Sequence, residues 1–229
     1  EARPRGGLIR LREFIMKDAY SFHTNEDDLK QTYDKFFKAY VRIFKRIGFK
    51  NFIDVASDNG MFGGSYSHEF MLITDAGEDT LLLCSKCDYK ANKEIASSGY
   101  NLQPSKQVPE MEKTPTPAQK TIEELCNFLD LTADKTAKAV LFQTIDDSTP
   151  VICFLRGDLN VMQLKVESAI GRALTAAGEA AIKSSGAVAG SAGPLDLNYK
   201  ESIVILDPTV AIEADYCTGA NEEGFHYTH

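Results

Sequence analysis

Between residues 94 and 117 the hydrophobic pattern of this chain lapses, and Pro104, Pro109, Pro115 and Pro117 punctuate a polar, mixed-charge stretch. Proline fixes φ and removes a backbone donor, so such a stretch reads as a linker and not as a central strand or helix. It divides the 229 residues into a first part, 1–93, and a second part, 118–229, each long enough to build its own core. A hydrophobic share of 43% supports two real cores, and a charged share of 25% is that of a folded chain. The formal net charge of −8 argues against a protein that coats nucleic acid by bulk electrostatics. That charge is uneven. Residues 1–60 hold 12 basic and 9 acidic side chains, whereas residues 61–229 hold 13 and 24. Any contact with a polyanion is therefore expected early in the chain or in a small local pocket. No apolar run approaches the ~20 residues of a membrane span, and the charged opening lacks the apolar core of a secretory leader. Five cysteines at irregular spacing, Cys84, Cys87, Cys126, Cys153 and Cys217, read as reduced thiols of a cytoplasmic protein. A first residue of Glu leads us to expect a piece of something longer.

Each part has its own pattern. Gly6-Gly7 marks a turn, and residues 8–16 read as a strand with Arg10, Arg12, Phe14 and Met16 on one face. Thr24 is placed to cap a helix whose first turn carries Glu26, Asp27 and Asp28. Leu29, Tyr33, Phe36, Phe37, Tyr40, Phe44 and Ile47 then recur at intervals of three and four, and Gly48 stops the run. Such an aromatic stripe needs a large apolar partner. Residues 52–56, 69–74 and 80–84 read as strands, with a glycine-rich loop at 59–65 and a turn at Ala76-Gly77. The first part is thus α+β, antiparallel strands with one long helix. In the second part Thr121 and Glu124 form a capping-box match. Residues 134–142, 160–170 and 173–183 read as helical, 150–155, 202–206 and 210–214 as strands, and Gly219 to Asn221 as a turn. This is a mixed α/β unit without a regular βαβ period.

The residues with the most chemical character lie at the start. Arginine's planar, permanently charged fork suits phosphate, and a phenylalanine face suits a base. Arg10 and Arg12 beside Phe14 on one strand face therefore fit a nucleoside triphosphate, with a solvated basic strand as the plain alternative. Cys84-x-x-Cys87 supplies two thiols, short of the four ligands of a structural zinc site, so no metal is assigned. No Ser/His/Asp or Cys/His set has a persuasive pattern.

Residues 1–22, from Glu1 to Met16-Lys-Asp-Ala-Tyr-Ser-Phe22, resemble the second signature motif of class II aminoacyl-tRNA synthetases in its bacterial prolyl form. Gly63-Gly-Ser-Tyr-Ser-His-Glu-Phe70 resembles that family's amino-acid pocket strand. The second part is similar to the family's editing insertion, a YbaK-like domain, through Thr121-Ile-Glu-Glu124, Arg156-Gly-Asp158, Lys165, Gly190-Ser-Ala-Gly-Pro194, Gly219-Ala-Asn221 and His226. The resemblance implies that the parent enzyme joins proline to its tRNA using ATP and Mg2+. Glu1 would orient adenine, Arg10 would meet the triphosphate, Phe14 would stack on the base, and Arg12 would share that face. Ser67, His68 and Glu69 would sit near proline. It also implies that the insertion hydrolyses alanine wrongly esterified to proline tRNA, with no cofactor of its own. There Lys165, Gly190, Gly193, Pro194 and His226 would form the editing pocket. Glycines in that loop would let N–H groups approach the ester carbonyl, and the attacking water would be helped by the tRNA's terminal hydroxyl.

The implied partners are the acceptor end of proline tRNA, proline and ATP, in a cytoplasmic homodimer with no membrane. The family's first and third motifs and its anticodon-binding domain are outside this sequence, so ligation is not expected of this piece alone. Two rivals remain open at this point. One is a standalone YbaK-type deacylase, which would have no use for an ATP-binding strand. The other is a non-catalytic tRNA- or protein-binding module.

Overall fold

The computed structural model describes residues 3–8, 10–57, 64, 67–97, 99, 109–117, 119–211 and 215–228. By contacts the chain forms two units, Glu1–Asp54 with Phe70–Glu78 and Val55–Glu69 with Asp79–His229.

The aromatic stripe does form a helix, α1, over Glu26–Ile47. Its cap is Asn25, one residue later than the expected Thr24. Asn25 Oδ1 accepts the N–H of Asp28 at 2.9 Å, while Thr24 Oγ1 only receives the Asn25 amide at 3.2 Å. Three carboxylates in the first turn and Lys45 and Arg46 in the last complement the helix dipole. Gly48 closes the helix at φ 101°, a conformation that favours glycine. Phe37, Tyr40 and Phe44 place their rings 5.1, 5.9 and 5.2 Å from that of Phe70, and Phe44 lies 5.7 Å from Phe52. The large partner that the stripe demanded is therefore the pair of strands carrying Phe52 and Phe70.

Among the described residues, the strand expected over 8–16 is not formed. An antiparallel bridge between Arg5 and Arg10 closes the Gly6-Gly7 turn, and residues 11–22 then run without regular structure. A two-stranded ribbon with no third strand and no packed face is marginal in water. Phe14, Ile15, Met16, Tyr20 and Phe22 are accordingly exposed.

Strands β1 (Phe52–Ser57), β2 (Ser67–Leu72), β3 (Leu81–Leu83) and β4 (Lys90–Asn92) form a sheet in the order β2-β1-β4-β3. The α+β expectation holds. The sheet is mixed, however: β4 runs antiparallel to β3 but parallel to β1, with Ala56 opposite Ala91. Of the glycine-rich loop at 59–65, only Gly64 falls among the described residues.

The second sheet has the order β5-β11-β10-β6-β7-β9, with β8 added on β6. The strands are β5 (Glu112–Pro115), β6 (Thr136–Thr144), β7 (Pro150–Arg156), β8 (Leu174–Ala176), β9 (Ile203–Leu206), β10 (Cys217–Gly219) and β11 (Phe225–Thr228). The helices are α2 (Ile122–Leu129), α3 (Gln163–Ile170), α4 (Glu179–Ser185) and α5 (Pro208–Ala211). The Thr121–Glu124 capping box is present in full. Three expectations change. The helix expected over 134–142 is a short 3-10 turn followed by β6, because seven residues of β6 pair with β7. The alanine-rich run opens with strand β8 before α4 begins. The strand expected over 210–214 begins as α5; residues 212–214 lie outside the described residues. Glu112–Pro115, which composition assigned to the linker, is an edge strand paired with β11.

β7 explains the architecture. Its unbroken apolar run is buried on both faces, the pattern of a strand covered twice. Val151 and Cys153 pack with Val166 of α3, along with Phe142 and Leu174. Ile152 and Phe154 pack instead with Ala187 and Leu197, and with Ala192 of the following loop. Alternation along one strand thus sends α3 to one face and the 187–197 segment to the other.

Candidate functional site

Residues 187–195 form a loop held in place by backbone contact and, above all, by the side chain of Asn221. A Cβ added to Gly193 would lie 1.6 Å from the carbonyl oxygen of Gly219, and one added to Gly219 would lie 2.3 Å from that of Ser191. The loop and β10 therefore meet backbone to backbone, which only glycine permits. Asn221 then clamps the loop. Its Oδ1 accepts the N–H of Gly193 at 3.0 Å and of Val188 at 3.4 Å. Its Nδ2 donates to the carbonyls of Gly193, at 2.8 Å, and of Leu195. The Asn221 N–H adds a bond to Ser191 O at 2.8 Å.

These contacts decide which loop donors are free. The N–H of Gly193 is taken by Asn221 and that of Ser191 by Val188 O. The N–H groups of Gly190 and Ala192 have no partner among the described residues. Both residues line a cavity of about 210 Å³ that is also walled by Ala139, Leu141, Gly219 and His226. A small cavity with unused backbone donors can accept an oxygen that gains negative charge.

His226 is 7% exposed, and its Nδ1 lies 2.6 Å from the hydroxyl of Thr116, itself fully buried. Burial holds the imidazole below its ordinary value. It is neutral in the fold at pH 7 and presents one donor and one acceptor. The sign of the linkage follows. The unfolded chain takes up a proton near pH 6.5 and the folded chain only below it. Stability is therefore complete above pH 6.5 and falls as pH drops, by up to about 1.4 kcal/mol per unit. Urea unfolding of the parent and His226→Gln at pH 7.5 and 5.5 should show the parent losing more stability on acidification. An equal loss would remove His226 as the cause.

The sequence-derived editing set is only partly brought together. Gly190 and His226 line the cavity, Gly193 packs beneath the loop, and Pro194 follows it, with its carbonyl receiving the Tyr199 hydroxyl. Lys165 is elsewhere. It lines a separate cavity of about 430 Å³ with Cys153, Leu155 and Val166, and its Nζ donates to Ala96 O. The reason is the alternation of β7, since α3 covers the face opposite the loop. Two lysines line the loop cavity, Lys120 beside the start of α2 and Lys138 of β6. Of these Lys138 is held within the sheet, its Nζ donating to Gly157 O at 2.9 Å. It was hidden because its segment reads as a helix. The available signal was the run Val140-Leu-Phe-Gln-Thr144, which favours a strand. Asn221 was visible only as part of a turn.

Among the nucleotide candidates, Arg10 and Arg5 both pair with Glu78, at 2.9 and 2.8 Å, and Phe14 is 62% exposed. Two guanidinium groups converging on one carboxylate, with an aromatic face left open, suit a phosphate and a base. Arg12 lies in the same irregular segment, and Glu1 lies outside the described residues. Ser67, His68 and Glu69 stand at the start of β2. No group of three or more His, Cys, Asp or Glu side chains that could hold a metal occurs among the described residues. Nor is any helix among them long and apolar enough to cross a membrane.

Comparison with known proteins accounts for both parts of the chain. Residues 116–229 match the family described as "Aminoacyl-tRNA editing domain". Residues 1–172 match the "tRNA synthetase class II core domain (G, H, P, S and T)", and the chain belongs to that class II synthetase family. Its curated relatives include a proline--tRNA ligase of Dehalococcoides mccartyi, 38% identical over 227 residues, which are 99% of this chain and 39% of the relative. A proline--tRNA ligase of Bacillus cereus is 43% identical over 230 residues, 99% of this chain and 40% of the relative. That of Bacillus anthracis gives the same figures, 43% over 230 residues. The chain spans about two fifths of the length of these relatives.

Proposed function

We propose that the loop cavity receives the aminoacyl ester at the 3′ end of a transfer RNA and hydrolyses it, clearing alanine from proline tRNA. The observation that carries this reading is the Asn221-clamped loop, which leaves the N–H groups of Gly190 and Ala192 free at a cavity of about 210 Å³. Attack of water on an ester moves negative charge onto the carbonyl oxygen, where those two donors would stabilise it. Neutral His226 would contact the amino-acid moiety, and Lys138, which lines the same cavity, would supply a cation to the ester. The tRNA's terminal hydroxyl would assist the water. The match of residues 116–229 to an editing family supports this assignment.

The need for such a site is physical. A pocket shaped for proline cannot strongly exclude a smaller amino acid, because a missing methylene is worth only ~1–3 kcal/mol. A second, smaller cavity that takes alanine and refuses the proline ring restores accuracy.

We assign residues 1–93 to the ligation part, 118–229 to editing and 94–117 to a connection whose end, residues 112–116, joins the editing sheet. The whole protein would join proline to its tRNA in the cytoplasm, as a homodimer. ATP would supply the energy for joining carboxylate to ribose hydroxyl. Arg10 and Arg12 would hold its phosphates, Phe14 its base, and Ser67, His68 and Glu69 would face proline. Mg2+ would come with the ATP phosphates and need only one or two protein carboxylates. The match of residues 1–172 to a synthetase core disfavours a standalone deacylase.

The test is direct. This 229-residue chain, incubated with alanyl-tRNA and prolyl-tRNA charged on proline tRNA, should release alanine at least about tenfold faster than proline, the discrimination expected from a size sieve. Equal rates, or hydrolysis of neither ester, would sink the reading.

A further inference from the structure

Cys84 and Cys87 take no part in either proposed activity, yet the turn that joins β3 to β4 organises them. Leu83 pairs with Lys90, and the Cys84 N–H reaches Tyr89 O at 2.9 Å, so residues 84–89 form a closed loop at the end of a hairpin. Within it the Lys86 N–H points at the sulfur of Cys84, at 3.4 Å. Cys87 follows within the same closed loop, three residues after Cys84. A backbone donor on the sulfur stabilises a thiolate, and both cysteines are exposed. The Cys84 thiol is held below its ordinary range, chiefly by the Lys86 N–H and further by the neighbouring Cys87. The other three thiols are different. Cys153 and Cys217 are buried and pushed up to about 11, and Cys126 is also raised by burial.

A closed metal site would need further ligands, and no group of three or more suitable side chains gathers among the described residues. The chemistry that needs only two neighbouring sulfurs is disulfide exchange. We propose that Cys84 and Cys87 form a reversible dithiol–disulfide modification site whose co-reactant is a low-molecular-weight disulfide of the glutathione class.

The Cys84 thiolate attacks one sulfur of glutathione disulfide. A Cys84–glutathione disulfide forms, and one glutathione thiolate leaves and takes a proton from solvent. Cys87 then loses its proton to solvent and attacks the Cys84 sulfur. The Cys84–Cys87 bond forms and the second glutathione leaves. One disulfide is reduced and one dithiol is oxidised, with two electrons transferred.

The experiment uses the full chain, reduced, then equilibrated with excess glutathione disulfide, quenched by alkylation and read by mass spectrometry. The chain should lose two hydrogens, and three of its five cysteines should remain alkylatable. Cys87→Ser should stop at the glutathione adduct on Cys84. Cys84→Ser should react with glutathione disulfide at least about tenfold more slowly, as the loss of the favoured thiolate requires. Five alkylatable thiols in the parent would overturn the proposal. So would a glutathione adduct persisting in the parent, or Cys84→Ser reacting as fast as the parent.

Discussion

Gly193→Ala should lower the rate of alanyl-tRNA hydrolysis by at least about 100-fold, the cost of misplacing a reacting group by an ångström. The added Cβ would fall 1.6 Å from the Gly219 oxygen and 2.6 Å from its carbon. Both are backbone atoms of a paired strand, so no side-chain rotation relieves the clash. The loop must move instead, and it carries with it the Gly190 and Ala192 N–H groups. Asn221 grips this same loop, through its N–H to Ser191 O and its amide from Val188 to Leu195, so the shift strains or breaks that clamp. Gly190→Ala provides the contrast. Nothing lies within 4 Å of a Cβ there, and the cost is only that of φ +86°, about 1–2 kcal/mol of local strain. Single-turnover hydrolysis of the two variants, with urea unfolding alongside, distinguishes displacement of the loop from general instability. A Gly193→Ala chain that keeps more than a third of the parent rate would show that loop position does not control the reaction.

What the sequence disclosed, and what it concealed, divides along a physical line. Features set by neighbours in the chain were legible. The aromatic period of α1, the Gly48 stop and the Thr121–Glu124 capping box all appear where local chemistry puts them. The unbroken run of β7 was read as a strand for the same reason. Features set by distant partners were not. Thr136-Ala-Lys-Ala carries good helix formers, and only pairing with β7 makes it a strand. Glu112–Pro115 looks like linker until β11 lies beside it. Residues 8–16 show the opposite failure, a strand pattern that among the described residues forms no strand beyond the Arg5–Arg10 bridge. The editing set divides in the same way. The glycine loop and His226 could be placed together through the family resemblance, and Gly190 and His226 do line one cavity. Which face of the sheet a lysine occupies could not, since that depends on the register of β7 with its neighbours.

That distinction makes the two lysines separable by experiment. Lys138→Ala should slow alanyl-tRNA hydrolysis by about 10- to 100-fold, the value of one charge-assisted hydrogen bond. Lys165→Ala should leave the rate within about twofold, the ordinary result for a group that makes no contact with the reacting ester. The first residue lines the loop cavity with Gly190 and His226, and the second lines the cavity on the opposite face of β7. Lys138 also donates to Gly157 O, so its loss could loosen the β6–β7 end. Lys138→Gln controls for this, because its amide can still donate to that carbonyl while the charge is gone. If charge is what the ester site uses, Lys138→Gln should be as slow as Lys138→Ala and melt like the parent. If instead Lys165→Ala is the slow variant, the cavity behind α3 is the ester site. The Asn221-clamped loop would then be a structural turn.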